Sequence, residues 1–127
     1  MAEHQYDPAV AALLALDEQL ERTIADLTAA RERVVQLEKL REDGRTWHDI
    51  VSHEERPLVV EAVTRALDDL GTVGGRFRRE EAMALQRESV SITRIGKLFG
   101  VSRQRVSAIL QEGLRLRPVE RQDEAGA

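Results

Sequence analysis

Between Pro8 and Gly44 the chain carries neither glycine nor a second proline, and apolar residues recur along it at helical spacing. Leu13, Leu20, Leu27 and Val34 stand seven apart. Leu16, Ala30 and Leu37 fill the intermediate seam positions, and Thr23 interrupts them once. This heptad pattern predicts one long helix, started by Asp7 as cap and Pro8 in the first helical position, where a missing N–H costs nothing. A helix of this length extends about 50 Å, more than one small globular core can cover. The stripe, widened by Leu14, Ile24, Val35 and Leu40, therefore needs a partner. The expectation is a second copy of the chain, paired through Leu13, Leu16, Leu20, Leu27, Val34 and Leu37. The alternative is a helix that folds back on its own domain.

Composition narrows the class. In 127 residues, 42% hydrophobic and 33% charged with 3% aromatic, there is material for aliphatic helical packing and little for a β-sandwich. Cysteine is absent, which excludes disulfides, thiolate metal sites and a cysteine nucleophile. No apolar run reaches membrane-spanning length, and the amino terminus lacks a basic-then-apolar signal, so the expected compartment is the cytoplasm, at the nucleoid. The expected class is all-α: a long N-terminal coiled-coil helix followed by a small helical bundle.

Charge divides the chain. Residues 1–71 hold eight Lys and Arg against sixteen Asp and Glu, whereas residues 72–117 hold ten against four, within an overall net charge of −4. A basic segment joined to an acidic one is the asymmetry expected when one region meets phosphate and the rest stays clear of it. An Arg-rich solvated surface is the plainer alternative.

Punctuation then sets the organisation. Gly44 ends the first helix. Thr46 is placed to cap a short helix carrying Trp47, Ile50 and Val51, with Trp47 expected as a core anchor. Pro57 opens a helix whose stripe (Leu58, Val59, Val60, Val63, Leu67, Leu70) is expected to end at Gly71. The run Gly71-Thr72-Val73-Gly74-Gly75 reads as a hinge or tight turn. It is not a phosphate-binding loop, because no strand precedes it and no Gly-Lys-Ser/Thr follows. A further helix is expected from about Arg76 to Glu88, burying Phe77, Ala82, Met83 (or Ala84) and Leu85. The expected regions are thus a dimerisation helix over 1–43, scaffold and hinge over 44–75, a helix-turn-helix region over 76–117 and a flexible acidic tail over 118–127.

Ser91 to Gln111 is the most informative stretch. Ser91 can cap a short helix with Ile92 and Ile95 inward. Gly100 suits the positive φ of a turn. Ser102 can cap a second helix sealed by Val106, Ile109 and Leu110. Gly96 is small where two helices must cross closely. Two short helices joined in this way form a helix-turn-helix, whose second helix enters the DNA major groove. Ser102, Arg103, Gln104, Ser107, Ala108 and Gln111 are left to point away from the core. Arginine can bond both acceptors on guanine and glutamine can pair with adenine in the same two-point way. Arg94, Lys97 and Arg105 flank that surface as candidate phosphate contacts, with Ser102 beside them. The alternative is a three-helix protein-interaction module with a basic face.

The run Ile95-Gly96-Lys97-Leu98-Phe99-Gly100-Val101-Ser102-Arg103-Gln104-Arg105-Val106-Ser107 resembles the helix-turn-helix with which bacterial sigma factors read the upstream promoter element. It is also similar to the small helix-turn-helix regulators of actinobacteria. The usual glutamate and alanine around the isoleucine are here Arg94 and Gly96. The likeness covers about Arg79 to Leu114 and implies the fold and DNA binding. Nothing resembles a sigma factor's other domains, so action as a sigma factor is not expected. A fainter echo, Gly44 to Val51, is followed by a helix bearing Glu61, Asp68 and Asp69, which repel phosphate and mark that part as scaffold.

Catalytic and metal motifs are missing. His48 and His53 lie five apart, off one helical face, without a His-Glu-x-x-His pattern, and no serine sits in Gly-x-Ser-x-Gly. The expectation is a non-enzyme without cofactor or metal: a dimeric, sequence-specific double-stranded-DNA-binding protein acting on an inverted repeat, as a bacterial transcriptional regulator or chromosome-organising protein. The rival is an adaptor whose acidic helical region binds RNA polymerase or another protein, with weak nonspecific DNA contact. Nothing in the sequence marks a pocket for a small-molecule effector.

Overall fold

A computed structural model describes residues 6–126, with side chains described to Leu116. Five helices follow one another: α1 (Pro8–Glu42), α2 (Trp47–His53), α3 (Val59–Arg87), α4 (Ile92–Phe99) and α5 (Arg103–Gly126), with no strand among the described residues. The chain forms two compact units. One comprises Ala15–Val73; the other joins the start of α1, to Leu14, with residues from Gly74 onward. None of the helices is long and apolar enough to cross a membrane, among the described residues.

The ends of α1 follow the local chemistry. Asp7 Oδ1 accepts from the N–H groups of Ala9 at 2.9 Å and Val10 at 3.4 Å, satisfying donors that a helix start leaves bare. At the other end Gly44 has φ +92°, and the N–H groups of Gly44 and Arg45 return to the carbonyls of Arg41 and Leu40. That double return is a Schellman closure, and it needs the left-handed residue that glycine supplies.

Within the Ala15–Val73 unit, packing is made by small side chains and fixed by polar ones. Ala30 and Ala66 are buried and line one cleft with Ala29 and Ala62. Gln19 and Thr23 are also buried, and Gln19 Nε2 donates to Thr23 Oγ1 at 3.2 Å. The interruption in the heptad is therefore a paired polar contact. Arg33 holds the loop between α2 and α3 with three donations, to the carbonyls of Pro57 (2.7 Å) and Glu55 (2.9 Å) and to Glu54 Oε2 (3.1 Å). Glu54 Oε2 in turn accepts from the Val59 N–H at 2.8 Å. Helix α3 begins at Val59, two residues beyond Pro57. The Leu58 N–H donates to Glu61 Oε1 at 2.8 Å, the carboxylate half of a capping box.

Two expectations fail in this part of the chain. The Gly71–Gly75 run is neither hinge nor turn: α3 continues through it from Val59 to Arg87. The residues on its inward side, Ala66, Leu70, Val73 and Phe77, stay three or four apart across the glycines, so the helical stripe never loses phase. A glycine in a helix costs about 1 kcal/mol relative to alanine, too little to break a helix whose neighbouring turns are packed. Trp47 is not a core anchor. It is 55% exposed, whereas Ile50, one turn further along α2, is 2% exposed. The Arg41 guanidinium lies 5.4 Å from the Trp47 ring centroid and covers it from α1.

The other unit has an aliphatic core. Ala82 and Met83 of α3, Ile95 of α4, and Val106, Ile109 and Leu110 of α5 form one buried cluster, with Leu85, Val90, Ile92 and Phe99 packed around it. Helix α3 closes with a second Schellman turn. The N–H groups of Ser89 and Val90 return to the carbonyls of Gln86 and Leu85, with Ser89 at φ +67° where glycine would sit without strain. The backbone of α5 is helical to Gly126. The tail expectation for 118–127 falls outside the residues whose side chains are described.

Candidate nucleic-acid interface

Two serine caps and one glycine turn build the α4–α5 unit. Ser91 Oγ accepts from the Arg94 N–H at 3.1 Å and starts α4. Gly100 ends it in the left-handed region, φ +72°. Ser102 Oγ then accepts from the Arg105 N–H at 3.0 Å and starts α5. The two helices come close at Gly96, where an added Cβ would stand 2.9 Å from the Val101 carbonyl oxygen and 3.6 Å from Val106 Cγ2. Only a residue without a side chain leaves that approach open. Gly113 serves α5 similarly against Met83, whose sulfur would lie 2.8 Å from a Cβ there.

With Ile95 and Val106 wholly buried and Ile109 and Leu110 nearly so, the polar residues of α5 fall on the other side. Ser102, Arg103, Gln104, Arg105, Ala108 and Gln111 are exposed and Ser107 is half-buried. Arg94 and Lys97 of α4 are exposed as well. None of the Arg94, Lys97, Arg103 and Arg105 side chains makes a hydrogen bond or ion pair among the described residues, whereas Arg79 meets Glu112 at 3.5 Å. Arg103 and Arg105 at the serine-capped start of α5, and Arg94 and Lys97 on α4, thus face solvent uncompensated among the described residues, together with amide and hydroxyl groups. The first N–H groups of α5 add to the same positive end. Ser102 has its oxygen engaged as a cap and keeps its O–H to donate.

Sequence reasoning missed one basic residue here. The Arg78 guanidinium lies over the Phe99 ring, 4.1 Å from its centroid. The two residues are twenty-one apart on different helices, so no local pattern announces the contact.

The proposed pairing residues of α1 divide. Leu13, Leu20 and Val34 are exposed, along with Ile24 and Val35. Leu16, Leu27 and Leu37 are half-buried, and their neighbours Thr23 and Ala30 are buried. The helix has a covered face of small and polar residues and an open face of larger aliphatic ones.

Around α2 the acidic and imidazole groups are spent on each other. Arg45 Nε donates to Asp49 Oδ2, and His53 Nδ1 stands 3.1 Å from Asp49 Oδ1. The Arg45 hydrogen bond holds the Asp49 carboxyl below its ordinary range. Among the described residues no three metal-ligating side chains gather.

Comparison with protein-family models, curated proteins and solved structures gives no match to this chain.

Proposed function

We propose that this chain is a sequence-specific double-stranded-DNA-binding protein that uses α4 and α5 as a helix-turn-helix. One observation carries the reading: the serine-capped start of α5 turns the Arg103, Gln104 and Arg105 side chains outward, without a partner among the described residues, while Val106, Ile109 and Leu110 seal the interior. A helix of this kind fits the major groove, and its first turns come nearest the bases. Arg103 and Gln104 supply base readout, with Ser107 and Gln111 further along the helix. Arg94, Lys97, Arg105 and Ser102 grip phosphates. The open aliphatic face of α1, with Leu13, Leu20 and Val34 on it, pairs two copies, so the operator is an inverted repeat. The role that fits is a bacterial transcriptional regulator or chromosome-organising protein working at the nucleoid.

Gel shifts across a salt series with competitor DNA test the reading. Arg103→Ala is expected to cost about 1–3 kcal/mol on a selected site and to relax its specificity, and Lys97→Ala to weaken all sequences alike. Unchanged affinity of Arg103→Ala for a selected site would sink the assignment of α5 as the reading helix. A second reading, an adaptor that docks on another protein, is favoured by the half-exposed Trp47 beside Val51 in the acidic part of the chain. Complete loss of binding to moderate amounts of competitor would favour the adaptor.

A further inference from the structure

Arg78 was expected to be one cation among many in a basic segment, yet it is held in a particular way. Its guanidinium lies over Phe99, the last residue of α4. Phe99 is half-buried and packed against the aliphatic core, so the ring is a fixed platform. Gly100 follows it directly and leads to the Ser102 cap and Arg103. The Arg78 side chain is exposed and makes no hydrogen bond or ion pair among the described residues.

A guanidinium over a ring face is attracted by the ring quadrupole and loses much of its freedom to swing. Its N–H donors lie in its own plane, and a ring face consumes none of them in ordinary hydrogen bonds. The result is a rigid, planar, two-pronged donor beside the turn between α4 and α5. Planar forks of this kind match a phosphodiester, whose two free oxygens accept paired N–H groups. A mobile surface lysine offers the same charge without the geometry.

We infer that Arg78, positioned by Phe99, is a phosphodiester-binding residue that clamps the DNA backbone next to the turn between α4 and α5, from the third helix of the unit. The inference rests on the DNA-binding reading. It adds a contact made by α3 and gives Phe99 a positioning role.

The test uses the full chain with two probes, a duplex selected for tight binding and a mixed-sequence duplex, each titrated across a salt series. Arg78→Met keeps an adaptable side chain over the ring and removes the charge. It is expected to bind both duplexes roughly three- to tenfold more weakly and to lower the salt slope by about 1, with its melting temperature little changed. Phe99→Leu keeps the cation and loses the platform, and a similar loss of affinity with an unaltered slope would support the positioning role. Replacing single phosphates in the selected duplex by uncharged methylphosphonates adds a direct readout: one replacement should weaken the wild type and leave Arg78→Met unaffected. An Arg78→Met protein that melts earlier but binds with unchanged affinity and slope would overturn the inference, because Arg78 would then only cover Phe99. If Arg103→Ala loses site preference while Arg78→Met binds normally, the clamp alone is wrong. If competitor strips the wild type from both duplexes, the DNA-binding reading fails and the clamp with it.

Discussion

The segment from Gly44 to Val59 and the segment from Val90 to Leu110 use the same turn chemistry. Each has a glycine at positive φ (Gly44, Gly100) and hydroxyl caps on its helices (Thr46; Ser91 and Ser102). They differ in what fills the space behind the turn. Behind α2 there is one buried aliphatic residue, Ile50, and the adjoining loop is tied down by Arg33 and Glu54. Behind α4 and α5 there is a contiguous cluster from Ala82 to Leu110. Caps start helices in both places, but only the second has the apolar volume to press two helices together and turn a row of polar side chains outward. Turn residues set where helices begin and end, and the aliphatic stripe sets which of them becomes a rigid platform.

The largest test of that contrast is truncation in the two places. Ile95→Ala removes a wholly buried side chain and is expected to cost about 2–5 kcal/mol in urea unfolding. Trp47→Ala removes a larger side chain that is half in water, and is expected to cost less than about 1.5 kcal/mol, mostly the covering contact with Arg41. Equal losses at the two positions would mean that α2 has a core of its own.

Glycines sharpen the same contrast with a change of sign. At Gly96 an added methyl meets the Val101 carbonyl of the turn at 2.9 Å, so Gly96→Ala must displace the turn between α4 and α5, at a cost of about 1–3 kcal/mol. At Gly71 and Gly74 an added methyl meets nothing within 4 Å. Both lie inside α3, where alanine is the better helix former, so Gly71→Ala and Gly74→Ala are each expected to stabilise by about 0.5–1 kcal/mol. Thermal unfolding of the three variants reads both directions at once. Destabilisation by the α3 substitutions would show that the chain needs a bend there.

Much of this was legible in the residues because caps, closing glycines and buried stripes act locally. Asp7, Thr46, Ser91 and Ser102 all cap where they stand in the sequence, and Gly44 and Gly100 both take positive φ. The Gly71–Gly75 run misled because turn propensity is a local preference of about 1 kcal/mol per residue, whereas the stripe from Ala66 to Phe77 is held by packing on both sides of it. Trp47 misled because Trp47, Ile50 and Val51 share one helical face by spacing, which does not say that only Ile50 of the three is buried. On α1 the heptad marks the apolar positions, but the chain covers the neighbouring small face of Ala30 and Thr23 instead of Leu20 and Val34. Arg78 was hidden for a different reason: its contact with Phe99 exists only once α3 and α4 are in place.

The smallest expected effect is on pH response, and it too follows from how each turn is filled. Asp49 is held below its ordinary titration range, first by the hydrogen bond from Arg45. A carboxyl depressed in the folded state favours folding above its unfolded titration range, and the contribution is lost as pH falls through the folded value. The pair lies at the surface, about 40% exposed on each side, so little global stability rides on it. The local consequence is still measurable: amide protection in α2, taken relative to the intrinsic exchange rate, should fall on acidification before protection in α4 does, because the cluster behind α4 and α5 is apolar. Arg45→Ala should return the Asp49 carboxyl toward its ordinary range in an NMR titration and bring the loosening of α2 to higher pH. If α2 and α4 lose protection together as acid is added, the two segments open as one, and the distinction between a polar-tied turn and an apolar-packed one does not extend to their dynamics.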